Sequence, residues 1–486
     1  MNFAMVLKNL GILLICEALS MFPSLLVAAT YEDGDVLAFA YTIFIVTAVG
    51  CVLALLIKPK SKNIYARDGF AIVAIGWILI SFFGSLPFVF SGVIPSFIDS
   101  FFESSSGFTT TGASILTQIE GLPRGILFWR SFTHWVGGMG VLILTLAILP
   151  SVGANTFQIM NAESPGPNPG KLVPKVGQTA KILYSIYGAI TVLEIIFLVA
   201  AGMPIYDAFI HTFGTVGTGG FSIKNASVGA YNNVIIEVII TVFMLACGAN
   251  FALYYYALKG NIKSFLKDQE FKLYITIIFA SILLITFNIN GQIYKTIGEA
   301  LRYASFQVAS IITTTGYATA DFNQWPTFSK VILFFLMFIG GCAGSTGGAI
   351  KHIRILLMLK IMKRELMKII HPRAVYSVRV NGKSVNEDAL SEVLGFFFMY
   401  MIIFAVAVLI VSMDGKDMVT TISSVAATIG NIGPGFEMVG AVGNYSEFSA
   451  LSKLVLSLAM IIGRLEIYPI LLLMIPSFWK TSLYSI

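Results

Sequence analysis

Apolar runs long enough to cross a bilayer recur along this chain, and four shorter stretches with polar beginnings sit between them. About 20 apolar residues cover the hydrocarbon core of a membrane. Charge-free runs of that order lie at 36–57, 69–98, 131–162, 238–258, 273–294, 331–350 and 393–413. Three further apolar stretches carry one or two charges: 8–29 with Glu17, 180–201 with Glu194, and 449–475 with Arg464 and Glu466. The pattern predicts about ten transmembrane helices. Glu17 interrupts the first apolar run and a second helix follows at once, which argues against a removable leader peptide.

The four leftover stretches, 98–111, 206–219, 298–315 and 416–432, are too short to span. Each begins near an acid (Asp99 or Glu103, Asp207, Glu299, Asp417), which complements the positive end of a helix dipole. Each ends in a turn of small residues: Thr109-Thr110-Thr111-Gly112-Ala113-Ser114, Gly217-Thr218-Gly219-Gly220-Phe221-Ser222, Thr313-Thr314-Thr315-Gly316-Tyr317 and Gly430-Asn431-Ile432-Gly433-Pro434-Gly435. They read as half-helices that enter from outside and stop at mid-membrane. Aligning Gly112, Gly220, Gly316 and Gly433 gives steps of 108, 96 and 117 residues, each enclosing helix, half-helix, turn and helix. The fold expected is an all-α integral membrane protein with four helix–pore-loop–helix repeats around a pseudo-fourfold pore, plus two N-terminal helices. The divisions fall at 1–66, 67–150, 151–258, 259–384 and 385–486.

Composition supports a bilayer habitat: 57% of residues are apolar and 12% charged, against about 25% charged in soluble domains. Of the 31 Lys and Arg, 22 fall in segments that alternate topology puts on one side, which the positive-inside rule makes cytoplasmic, with both termini. No run of five like charges offers a footprint for nucleic acid. Cys16, Cys51, Cys247 and Cys342 are scattered in apolar stretches, without the spacing of a zinc site or disulfide frame.

Four half-helices around an axis would point their negative ends at a central cavity, and the turns would offer backbone carbonyls that replace a cation's water. The candidate filter is Thr110, Thr111 and Gly112; Thr218, Gly219 and Gly220; Thr314, Thr315 and Gly316; and Asn431, Ile432 and Gly433. Each motif alone could also be small-residue helix packing. Below the third turn, Gly340, Gly341, Cys342, Ala343, Gly344, Ser345, Thr346, Gly347 and Gly348 place five glycines in nine residues at bilayer depth. Such a stretch should be loop, tolerated there only where buried or lining a wet cavity. The alternative is close helix packing through Gly340, Gly344 and Gly348. Arg464 lies inside the last span, either facing the cavity or paired with Glu194 or Glu392.

The ordering of these motifs, with Phe102-Glu103-Ser104 before the first turn and Gly463-Arg464-Leu465-Glu466 near the end, resembles the Trk/Ktr/HKT superfamily of potassium transporters. It is most similar to the TrkH-type membrane subunit, which also has two helices before the first repeat. The resemblance implies a homodimeric potassium uptake pore in the plasma membrane, the inner membrane if the cell is Gram-negative. It also implies a loop obstructing the path at Gly340–Gly348, an arginine at Arg464 pointing below the filter, and control by a cytosolic, TrkA-like RCK ring that binds nucleotide. Glycine at all four filter positions goes with potassium permeation in that family. The turns differ from one another, so modest preference for potassium over sodium is expected.

This chain itself has no phosphate loop: Lys383-Ser384 follows Gly382, but Ser377 stands where a Walker loop needs glycine, and no GxGxxG occurs. Val375 to Val385 reads as a hairpin around Asn381-Gly382; with 151–181 and 258–272 it offers a docking surface, or serves as a solvated connector. Two rival functions remain. Gly112-Ala113-Ser114 with His134 imitates a serine protease. A symporter coupled to protons or sodium would use Glu17 or Glu194.

Overall fold

The computed structural model describes residues 1–59, 61, 63–140 and 176–479. The inner end of the span expected at 131–162, most of the 151–181 docking loop and Lys480 lie outside the described residues.

Among the described residues, six helices are long and apolar enough to cross a membrane: Phe3–Tyr31, Val36–Leu56, Ala66–Phe90, Gln178–Ala200, Gln269–Ile289 and Glu387–Asp414. Their outward faces carry large apolar side chains, such as Leu37, Phe44 and Leu56 on the second and Phe279 and Phe287 on the fifth. An apolar outside marks a lipid-facing bundle, so the protein is a multi-pass membrane protein. The first of these helices is kinked at Met21, where Pro23 removes a donor and starts a new helix.

Between each outer and inner helix sits a half-helix: Phe97–Phe108, Ile205–Gly217, Ile297–Ile312 and Met418–Ile429. Ser96, Thr296 and Asp417 cap three of them through side-chain oxygens. Asp99, Asp207 and Glu299 occupy first turns, as the dipole argument requires. Glu103 is mid-helix and buried instead, so its function is not dipole neutralisation.

The break expected in the third inner helix is present, and the other inner helices depart from the expected continuous spans. Arg124–Gly138 ends just before Gly140, which adopts φ +84°. Val234–Cys247 turns through 93° into Phe251–Leu258. Thr327–Leu336 stops three residues before Gly340 and gives way to a loop over 337–351. Ala450–Arg464 breaks at Glu466 and Ile467, both with positive φ, before Tyr468–Leu473. Each inner helix thus ends short of a full span, after 15, 14, 10 and 15 residues respectively. Beyond the third break runs His352–Ile370, then a two-stranded hairpin pairing Arg379–Val380 with Lys383–Ser384. Asn381 and Gly382 both take positive φ there, the left-handed pair that a two-residue hairpin turn demands.

Candidate functional site

The four turns share one backbone pattern. Thr110, Thr218, Thr314 and Asn431 have φ between 54° and 59°, and the glycines two residues on, Gly112, Gly220, Gly316 and Gly433, have φ between 80° and 95°. Left-handed residues on either side of an ordinary one swing successive peptide planes, so that neighbouring carbonyls can face one side.

The turns also close on one another in chain order. A Cβ on Gly112 would lie 2.0 Å from the carbonyl oxygen of Gly219; on Gly220, 2.0 Å from that of Thr315; on Gly316, 2.0 Å from that of Ile432; and on Gly433, 2.7 Å from that of Thr111. Each glycine is therefore required by close approach of the next repeat as well as by its own φ. The carbonyls of Thr111, Gly219, Thr315 and Ile432 occupy equivalent places, all on buried residues. None accepts a hydrogen bond from another described backbone or side chain. Carbonyl oxygens present only negative dipole ends, so four of them meeting in one ring have the chemistry to coordinate a cation. The seam between the last and first turns is closed by Asn431, whose Nδ2 donates to Thr111 Oγ1 (3.0 Å) and to the Met460 carbonyl (2.9 Å).

Directly beneath, the 337–351 loop is fastened on several sides. Gly348 N donates to Thr314 Oγ1 (2.7 Å), joining the loop to the third turn. Cys342 N donates to the Gly248 carbonyl (2.8 Å) and Phe251 N to the Gly344 carbonyl (3.0 Å), joining it to the bent second inner helix. Gly340 and Gly348 approach so closely that a Cβ on the former would lie 1.9 Å from the carbonyl oxygen of the latter. These glycines permit a folded loop and not a helix–helix contact, so the packing alternative does not hold. Gly341, Ser345, Thr346 and Gly347 are buried within it, whereas Gly344 is exposed.

Arg464 donates Nη1 to the Thr346 carbonyl (2.7 Å) and Nη2 to those of Gly137 and Gly138 (both 2.6 Å). One guanidinium from the fourth repeat thus grips the loop of the third and the end of the first inner helix, whose terminal carbonyls favour a cation. Arg354, just past the loop, pairs with Glu466.

Other sequence candidates are placed elsewhere. Ser114 Oγ donates to Glu103 Oε1 (2.9 Å), while His134 Nδ1 sits 2.7 Å from the Gly107 carbonyl and its Nε2 accepts from Phe221 N (3.3 Å). Serine and histidine are therefore not a catalytic pair; His134 joins the first half-helix to the second turn. The sequence reading missed Arg130, fully buried, whose Nε meets Glu103 Oε1 at 2.6 Å and whose Nη1 donates to the Ser222 carbonyl (3.0 Å). This pair braces the outer flank of the first two turns. Arg130→Met is expected to cost about 3–5 kcal/mol, because Glu103 would be left buried and charged without its counter-ion, keeping only the donors Ser114 Oγ and Ile115 N. Adding Glu103→Gln should recover part of the loss, and thermal unfolding of the purified protein in detergent measures both.

A helical bundle with a lipid-facing exterior and four half-helices meeting at one carbonyl ring defines a multi-pass, pore-loop membrane protein. The chain belongs to the TrkH family of cation transport proteins, whose profile matches residues 36–481. It is 39% identical to the Trk system potassium uptake protein TrkH of Salmonella typhimurium, over 99% of this chain and 100% of that one. It is 34% identical to the Trk system potassium uptake protein TrkG of Escherichia coli K12, covering 97% of each. The crystal structure of the potassium transporter TrkH from Vibrio parahaemolyticus superposes with a TM-score of 0.89 at 37% identity, covering 99% of this chain and all of that one.

Proposed function

We propose that the chain is a potassium uptake pore in which the carbonyls of the four turns strip and replace the ion's water, and the 337–351 loop with Arg464 obstructs the path below. The observation that carries this reading is the ring of four partnerless carbonyls from Thr111, Gly219, Thr315 and Ile432. A cation is the ligand they suit, since half-helix C-termini and carbonyl oxygens present only negative ends. The repeats at 67–150, 151–258, 259–384 and 385–486 act as one pore, with 1–66 as a flanking pair of helices. The hairpin side faces the cytosol with both termini, in the plasma membrane. The working unit is a homodimer, and the nucleotide-binding RCK ring docks on the hairpin side. The relatives named as Trk system proteins support such a multi-component assembly.

The test is rubidium uptake into proteoliposomes by purified protein, with and without the ring, together with reversal potentials. A passive pore reverses where the potassium gradient dictates, whatever the proton or sodium gradient. The coupled reading draws on Glu17, whose buried carboxylate has no hydrogen-bond partner among the described residues, and on Glu194, buried beside Thr215. A reversal potential that moves with pH or sodium would favour it.

Arg464→Ala should raise rubidium flux per folded molecule, because it removes both a positive charge from the path and a clamp on the loop. A folded variant with unaltered flux defeats this assignment.

A further inference from the structure

One side chain is placed to hold the 337–351 loop at its middle and just past its exit. Glu270, in the first turn of Gln269–Ile289, receives Ala343 N at 2.6 Å and Ile353 N at 3.0 Å on the same oxygen, Oε1. Ala343 lies at the loop's tip and Ile353 just beyond its exit. A carboxylate is acceptor-only, so a single atom can pin two N–H groups ten residues apart. Glu270 is buried, where water cannot readily replace it.

The two residues before Glu270 are tied to the tip of the hairpin. Gln269 N donates to Asn381 Oδ1 (2.9 Å), and Asn381 Nδ2 donates to Asp268 Oδ2 (2.7 Å). Asp268 in turn caps the helix through Phe271 N (2.8 Å). Lys360, from the helix that leaves the loop, reaches Gln269 Oε1 and the Arg379 carbonyl. Three consecutive residues, Asp268, Gln269 and Glu270, thus connect an exposed hairpin turn to a buried loop beneath the carbonyl ring. Around the latch stand Lys351, which donates to the Gly347 carbonyl, then Arg354, Glu466 and Arg464.

We propose that Glu270 is the positioning residue that latches the 337–351 loop, and that the Asn381 turn is the handle through which a partner on the hairpin releases it. Pulling the hairpin tip would shift the first turn of Gln269–Ile289 and withdraw Oε1 from both amides at once. Asn381 suits a handle because it is exposed and its side chain, not its backbone, makes both contacts. The proposal rests on the reading of this loop as an obstruction, and its test separates the two.

Cys342 adjoins Ala343 and is 1% exposed, so it reports loop release without reference to transport. With Cys16, Cys51 and Cys247 changed to alanine in the full chain, a methanethiosulfonate reagent is timed on Cys342 in proteoliposomes alongside rubidium uptake. Glu270→Ala should speed labelling about tenfold or more, and Glu270→Gln, whose amide oxygen still accepts, should stay within about threefold of the parent. Asn381→Gly keeps the left-handed turn but deletes the side chain, and should speed labelling by an intermediate factor. It sits in an exposed turn, so it decides the matter if Glu270→Ala does not fold. Unchanged labelling in folded Glu270→Ala, or equal labelling in the Ala and Gln variants, overturns the latch. Unchanged labelling in Asn381→Gly overturns the handle. Faster labelling with no rise in rubidium uptake keeps the latch and rejects the loop as the obstruction.

Discussion

Replacing Gly112, Gly220 or Gly316 by serine is expected to lower the potassium-to-sodium permeability ratio about tenfold, equivalent to about 1.4 kcal/mol of lost discrimination. Two effects add at each position. A left-handed backbone costs a residue with a Cβ about 1–2 kcal/mol. The Cβ also arrives 2.0 Å from the neighbouring turn's carbonyl oxygen, which must move. That carbonyl is one of the four proposed ligands, so the damage is expected to reach the ion directly. Gly433→Ser should be milder, because its Cβ would meet the Thr111 carbonyl oxygen at 2.7 Å. Bi-ionic reversal potentials in planar bilayers give the ratios. An unchanged ratio in all three folded variants would mean the turns do not line the path.

Deleting residues 343–347 should raise rubidium uptake by the chain alone about tenfold or more and abolish its nucleotide response in the presence of the ring. The base of the loop is already closed by residues the excision keeps: Gly340 N donates to the Ile350 carbonyl (3.0 Å), and a Cβ on Gly340 would lie 1.9 Å from the Gly348 carbonyl oxygen. The deletion removes one of Arg464's three carbonyl acceptors, that of Thr346, and the Gly347 carbonyl that Lys351 reaches, so Lys351→Met belongs in the same chain to avoid a buried unpaired ammonium. If the folded variant conducts no more than the parent and still answers nucleotide, the loop is not the obstruction.

The half-helices and turns were legible because their signals are local: an acid near the start, small residues at the end, and a fourfold recurrence that no single motif provides. The loop was legible from five glycines in nine residues, although its beginning was not. Helix ends at Leu336 because the chain turns back so that Gly340 N meets Ile350, a contact that no property of 337–339 announces. The 93° bend at Gly248-Ala249-Asn250 hid in an apolar run, yet Asn250 is an N-cap accepting from Ala252 N (2.8 Å), and a capping residue inside a span was the available clue. Glu103 with Arg130, and Glu270 with the loop, were out of reach. Each is a pairing across a buried seam within one repeat, and a charge in a helix looks the same in sequence whether it faces a dipole or a partner 27 or 73 residues away.

Because the ring is made by one chain, its last joint has a different character from the other three. Asn431 reaches Thr111 across 320 residues, and on the outer side Lys453 reaches Asp99 across 354 (2.7 Å). A chain emerging from the ribosome and entering the membrane in order would hold the first three turns as an open arc. The fourth ligand carbonyl, on Ile432, exists only once nearly nine-tenths of the polypeptide has been made. Until then the half-helix ends face one another with a side missing, and no closed ring of carbonyls exists. Premature termination anywhere before the fourth turn therefore leaves the ring without its closing joint from Asn431 to Thr111.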